Sequence, residues 1–109
     1  MQVMDSGVEG LRLAALEGRL DTATAPQIEQ AVLPLMDGKG LVLDMSAVRF
    51  VSSAGLRVLL KLAKAAKSGK RGFAVCGLQP TVQEVFEIGG FLQIIPIFPS
   101  RGEAISALG

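Results

Sequence analysis

The sequence predicts a mixed α/β domain, with a central sheet of four or five strands and about four helices packed against it. Three observations lead there. Short continuous apolar runs at 41–43 and 73–76 read as strands buried on both faces. Helical patterns follow both runs, at 54–67 and after Pro80, so strand and helix alternate as they do in sheets joined by helical crossovers. Finally, 109 residues, half of them hydrophobic, suffice for one domain spanning 1–109 whose core needs neither disulfide nor structural metal.

The elements follow in order. Val3 suits the first strand of a hairpin that turns near Asp5-Ser6-Gly7, giving the sheet an antiparallel edge. Leu11, Leu13 and Leu16 alternate as a strand that runs into Glu17-Gly18 and then a loop. Thr24 with Gln27 three residues later has capping-box spacing, and Pro26 is tolerated in a first turn, so a helix starts here. Its apolar face uses Ile28, Ala31, Val32 and Leu35, and Pro34 shortens it before Asp37-Gly38-Lys39-Gly40. The strand at 41–43 ends at Asp44, and Met45-Ser46-Ala47 reads as a turn in which Asp44 caps the chain.

Ser52-Ser53-Ala54-Gly55 then opens the long helix at 54–67, which Ser68-Gly69 stops. At 100° per residue Leu56, Leu59, Leu62, Ala63 and Ala66 share one face, and Arg57, Lys61 and Lys64 another. A buried strand at 73–76 precedes a helix carrying Val82, Val85 and Phe86 that ends at Gly89-Gly90. Residues 94–98 supply a last strand, which Pro96 confines to an edge. Ser100 and Glu103 repeat the capping-box spacing before a short helix with Ala104, Ile105 and Leu108.

Composition narrows the chemistry. Histidine is absent and Cys76 is the single cysteine, which removes the usual ligands for transition metals and the Ser-His-Asp and Cys-His constellations. No metal, no cofactor and no intrinsic turnover are expected. A Ser53–Lys61 hydrolase pair is imaginable, but eight residues on one helix separate the two by about 12 Å along the axis, too far for a nucleophile and its base. A formal net charge of +1 does not suggest direct nucleic-acid binding. Residues 1–10 carry Asp5 and Glu9 and do not read as a signal peptide, and no run approaches the length of a membrane span; a cytoplasmic protein is expected.

One segment carries an identification. Leu43-Asp44-Met45-Ser46-Ala47-Val48-Arg49-Phe50-Val51-Ser52-Ser53-Ala54-Gly55-Leu56 resembles the signature of anti-sigma-factor antagonists of the STAS family. That signature runs aromatic, apolar, aspartate, serine, serine or threonine, glycine, leucine. Phe50 and Val51 take the first two places, Ser53 the phosphoacceptor place, and Gly55-Leu56 follow in register, while Ser52 replaces the aspartate. Gly18-Arg19-Leu20-Asp21 with Thr24-Ala25-Pro26 is similar to the loop before the family's first helix, and 72–77 and 86–91 fit its later elements.

The resemblance implies a single STAS-like domain acting as a non-enzymatic switch. The unphosphorylated form would bind an anti-sigma factor with serine kinase activity and so release a sigma factor. Phosphorylation at Ser53 would abolish binding, and a serine phosphatase would restore it. From local chemistry alone Ser52 and Ser53 are plain helix caps; the resemblance makes Ser53 the acceptor, with Ser52 the alternative. It implies a partner surface of Asp21, Thr22, Ser52, Ser53, Ala54, Gly55, Leu56 and Arg57, although Gly55 by itself reads as a close-packing residue. The lysines of the long helix read as a solvated face, or as a basic rim beside Ser53 for an acidic partner. Cys76 reads as a small core residue. The competing function is a STAS subunit of a membrane transport ATPase complex, an interaction module without a switch.

Overall fold

The computed structural model describes residues 1–90 and 94–109. Strands β1 (Gln2–Asp5), β2 (Leu11–Leu20), β3 (Gly40–Val51), β4 (Gly72–Cys76) and β5 (Ile97–Phe98) form one sheet in the order β1-β2-β3-β4-β5. The β1–β2 pair is antiparallel, the hairpin edge expected from Val3, and every other neighbouring pair is parallel. Helices α1 (Ala25–Val32), α2 (Ser53–Ser68), α3 (Pro80–Ile88) and α4 (Arg101–Leu108) connect or follow the strands. The fold is thus the expected α/β class, with a five-stranded mixed sheet and four α-helices among the described residues. Phe91, the last residue of the stretch 86–91, lies outside the described residues.

Alternation along the central strands divides the core between two faces. Leu41, Leu43 and Met45 of β3 and Phe73 and Val75 of β4 join the large cluster with Val32, Leu59, Leu62, Val82 and Phe86. Val42, Ala74 and Cys76 point the other way, with Leu11 and Leu13, against Ala104 of α4. Burial pushes the Cys76 thiol up to about 11, with the negative charge of Asp44 adding to the effect. No helix among the described residues is long and apolar enough to cross a membrane.

Four local expectations change. Met45-Ser46-Ala47 is strand and not a turn: β3 runs 12 residues, because β2 itself continues to Leu20 and keeps pairing with it. β2 accordingly does not give way to a loop at Glu17-Gly18. Thr24 makes no side-chain cap for α1. Its backbone is already helical, at φ −96° and ψ −21°, and its hydroxyl turns back to donate to Arg19 O (2.9 Å) and accept from Asp21 N (3.0 Å). Asp21 instead orders the turn ahead of the helix, its Oδ1 accepting from the N–H groups of Ala23 (3.0 Å) and Thr24 (3.1 Å). Last, the strand expected at 94–98 is only Ile97–Phe98, a sheet edge that starts after Pro96, which has no N–H to give.

Other signals hold. Pro34 sits in a 3-10 turn, Leu33–Leu35, that ends the first helical segment. Ser100 Oγ accepts from Glu103 N at 3.2 Å, capping α4.

Candidate functional site

β3 delivers the chain to the site, and α2 begins two residues beyond its last strand residue. Ser52 has extended dihedrals, φ −90° and ψ 176°, and caps α2 by accepting the Gly55 N–H on its Oγ at 3.3 Å. Its own N–H donates to Leu20 O at 2.9 Å, tying the helix start to the end of β2. Ser53 is the first residue of the helix and is exposed, and its hydroxyl makes no hydrogen bond with the described residues. The two adjacent serines are therefore chemically distinct: one is a bound cap, the other a free hydroxyl at the positive end of a 16-residue helix with no acid in its first turn.

The rest of the expected surface separates into two layers. Thr22 and Arg57 are exposed and Ala54 is half-buried, and the three line a shallow groove of about 400 Å³ between the starts of α1 and α2. Gly55 and Leu56 are buried. A Cβ at Gly55 would lie 2.5 Å from Leu20 O, so glycine lets α2 rest directly on β2. Leu56, 6% exposed, anchors the same turn in the core. These two residues seat the helix beneath the exposed layer.

Asp21 is half-buried beside the groove and is held by an ion pair with Arg19 at 3.2 Å. The Arg19 guanidinium, followed by the backbone N–H groups of Thr24 and Ala23, holds its carboxyl below the usual carboxylate range. Arg19 also lies over the ring of Phe50, 4.3 Å from its centroid, and Phe50 remains 41% exposed. This stacking escaped the sequence reading, which had no signal joining residues 31 positions apart on different strands. Pro26, Glu29, Val58 and Lys61 complete the groove. Lys61 pairs with Glu29 across the two helices at 3.3 Å, an exposed contact of small energetic weight.

Asp44, expected to cap a turn, is buried on the α4 face. Its Oδ1 accepts from Ser46 N at 2.9 Å, while Oδ2 receives Arg101 Nη2 at 2.7 Å and Nε at 3.1 Å. Burial works to raise its pKa, but the Ser46 and Arg101 hydrogen bonds outweigh that and leave it lowered. It anchors α4 and stands apart from the groove. A larger polar concavity, about 480 Å³, lies at the other end of the parallel strands among Ser6, Glu9, Arg12 and Asp37. No cluster of three or more histidine, cysteine, aspartate or glutamate side chains among the described residues could hold a metal ion.

The site offers a free hydroxyl, a groove and a flanking cation.

Comparison with known proteins gives this geometry a context. The family model described as STAS domain matches residues 3–104. The chain is 39% identical over 110 residues to BtrV of Bordetella bronchiseptica, a candidate anti-sigma factor antagonist, covering 98% of this chain and 94% of that one. It is 31% identical over 88 residues to the anti-sigma-B factor antagonist of Listeria monocytogenes, covering 79% and 77% of the two chains. The crystal structure of an anti-sigma factor antagonist from Mycobacterium paratuberculosis superposes with a TM-score of 0.81 at 30% identity, covering 98% of this chain and 91% of that one.

Proposed function

The chain belongs to the STAS-domain family, and from that premise we propose that it is an anti-sigma-factor antagonist switched by phosphorylation of Ser53. In the unmodified state the α1–α2 groove and the exposed start of α2 bind an anti-sigma factor that is also a serine kinase, freeing a sigma factor. Phosphoryl transfer forms a bond from Ser53 Oγ to the γ-phosphorus of ATP and breaks that phosphorus's bond to the ADP oxygen. The hydroxyl proton passes to the kinase. The product carries about −1.5 to −2 charges on the docking surface and dissociates, and a serine phosphatase restores it by hydrolysis. The exchange takes place in the cytoplasm, where the kinase has ATP.

The observation that supports the acceptor is the contrast between the serines: Ser52 is half-buried with its Oγ bonded to Gly55 N, whereas Ser53 is exposed and unbonded among the described residues. Antagonist names on relatives at 39% and 31% identity favour this reading over a transport-complex subunit. Phosphopeptide mapping after incubation with the cognate kinase and ATP is the test. Phosphate on Ser53 supports the reading; phosphate on Ser52 alone moves the acceptor by one residue; phosphate on neither defeats the switch.

A further inference from the structure

We infer that Arg57 is the internal counter-ion for a phosphate on Ser53, an inference that rests on the phosphorylation reading above. Both residues are exposed on α2, four positions apart. In a helix, residues at i and i+4 are neighbours, about 5–6 Å apart between Cβ atoms. Side chains lean toward the N-terminus, so the long arginine reaches back over the turn that carries Ser53. An anion placed N-terminal to its cation is also the favoured order for such a pair.

Arg57 is available for the task. Its guanidinium has no carboxylate partner among the described residues, in contrast to Arg12, Arg19, Lys61 and Arg101. No acidic residue occurs between Asp44 and Glu84, so nothing on α2 competes for it. Lys61 lies a further turn away and is paired with Glu29. A planar guanidinium can also meet phosphate oxygens through two parallel N–H bonds, which an ammonium cannot do.

The pairing changes two things together. The phosphate is held against its own helix, and the guanidinium that rims the groove of Thr22, Ala25, Pro26 and Glu29 in the unmodified form is drawn to it. Modification then alters the docking surface by moving a cation as well as by adding an anion.

The test is a ³¹P NMR titration of the full chain with phosphoserine installed at position 53, in wild type, Arg57→Gln, Arg57→Lys and Arg49→Gln. The other charged groups on the elements that flank the helix start are Asp21 with its partner Arg19, Glu29 with Lys61, and Arg49 of β3. The wild-type phosphate should titrate below its ordinary value of about 6. Arg57→Gln should raise it by about 0.15–0.4 unit, the scale of a helical ion pair. Arg57→Lys should fall between, and Arg49→Gln should match wild type. Superposable wild-type and Arg57→Gln curves, or an equal shift from Arg49→Gln, would overturn the inference. A separate arm treats the unmodified chain with its kinase and ATP. Absence of phosphate on Ser53 there defeats the switch itself, whereas a phosphate insensitive to Arg57 defeats only the counter-ion.

Discussion

Gly55 lies against Leu20 so closely that an added Cβ would stand 2.5 Å from the Leu20 carbonyl oxygen and 2.8 Å from its Cγ. The oxygen belongs to the backbone of a paired strand and has little freedom to withdraw. Gly55→Ala should therefore lift the first turn of α2 and cost about 1–3 kcal/mol, the range for overpacking a tight site. Urea denaturation measures that cost; stability equal to wild type would mean that the helix start yields freely.

The two serines should separate experimentally. Ser52→Ala removes the cap of α2 and should lose about 1 kcal/mol while keeping its response to the kinase. Ser53→Ala should retain both stability and partner binding but resist release by kinase and ATP. Ser53→Asp should weaken binding with the fold intact, since a carboxylate is favourable at a helix start. A complete switch, from nearly all bound to nearly all free, corresponds to about 10⁴-fold in relative affinity, or roughly 5.5 kcal/mol. Calorimetry on each variant, with and without kinase treatment, distinguishes the outcomes; release of Ser53→Ala on kinase treatment would transfer the role elsewhere.

The Asp44–Arg101 pair predicts a pH dependence. Asp44 has a folded pKa below its ordinary value of 3.8, so its ionised form is favoured by folding. Its contribution is fully present above that ordinary range and is lost as the pH falls through the folded value. Arg101→Ala should cost about 1–3 kcal/mol at neutral pH, because a nearly buried carboxylate is left with only its Ser46 bonds. The same variant should show a shallower loss of stability in acid than wild type. Equal acid slopes in thermal melts across pH 2–6 would exclude the pair as their source.

Arg19 should control the ionisation of Asp21. Arg19→Ala removes the largest influence lowering the Asp21 pKa, so the carboxyl should titrate closer to 3.8 in ¹³C NMR. The Phe50 ring would lose its covering cation as well, giving a ring-proton shift in the same spectra. An unmoved Asp21 titration would show that the Thr24 and Ala23 N–H groups suffice.

The strands and helices that follow simple periods were legible in the residues. Apolar runs at 41–43 and 73–76 fell inside β3 and β4, and Ser100 with Glu103 marked the start of α4. The second half of β3 was not legible. Twice, between Ala15 and Glu17 and between Gly18 and Arg19, the pairing advances one residue further along β3 than along β2. These bulges bury Met45, Val48 and Val51 at intervals of three, and a search for strict alternation reads that pattern as irregular. Within the site, the Ser52 cap and the close-packed Gly55 were legible because capping and close packing are local, whereas Ser53 was singled out only by the family resemblance. Arg19 over Phe50 and Asp44 with Arg101 join distant segments, and no local pattern announces them.

The buried thiol has a practical consequence. With the only cysteine of the chain inside the sheet and its pKa near 11, almost none of it is thiolate at neutral pH, and reagents cannot reach it. A cysteine introduced at exposed Thr22 would then be the one reactive sulfur in the chain. A maleimide fluorophore attached there would report occupancy of the groove in real time, with no need to remove the native residue from the core.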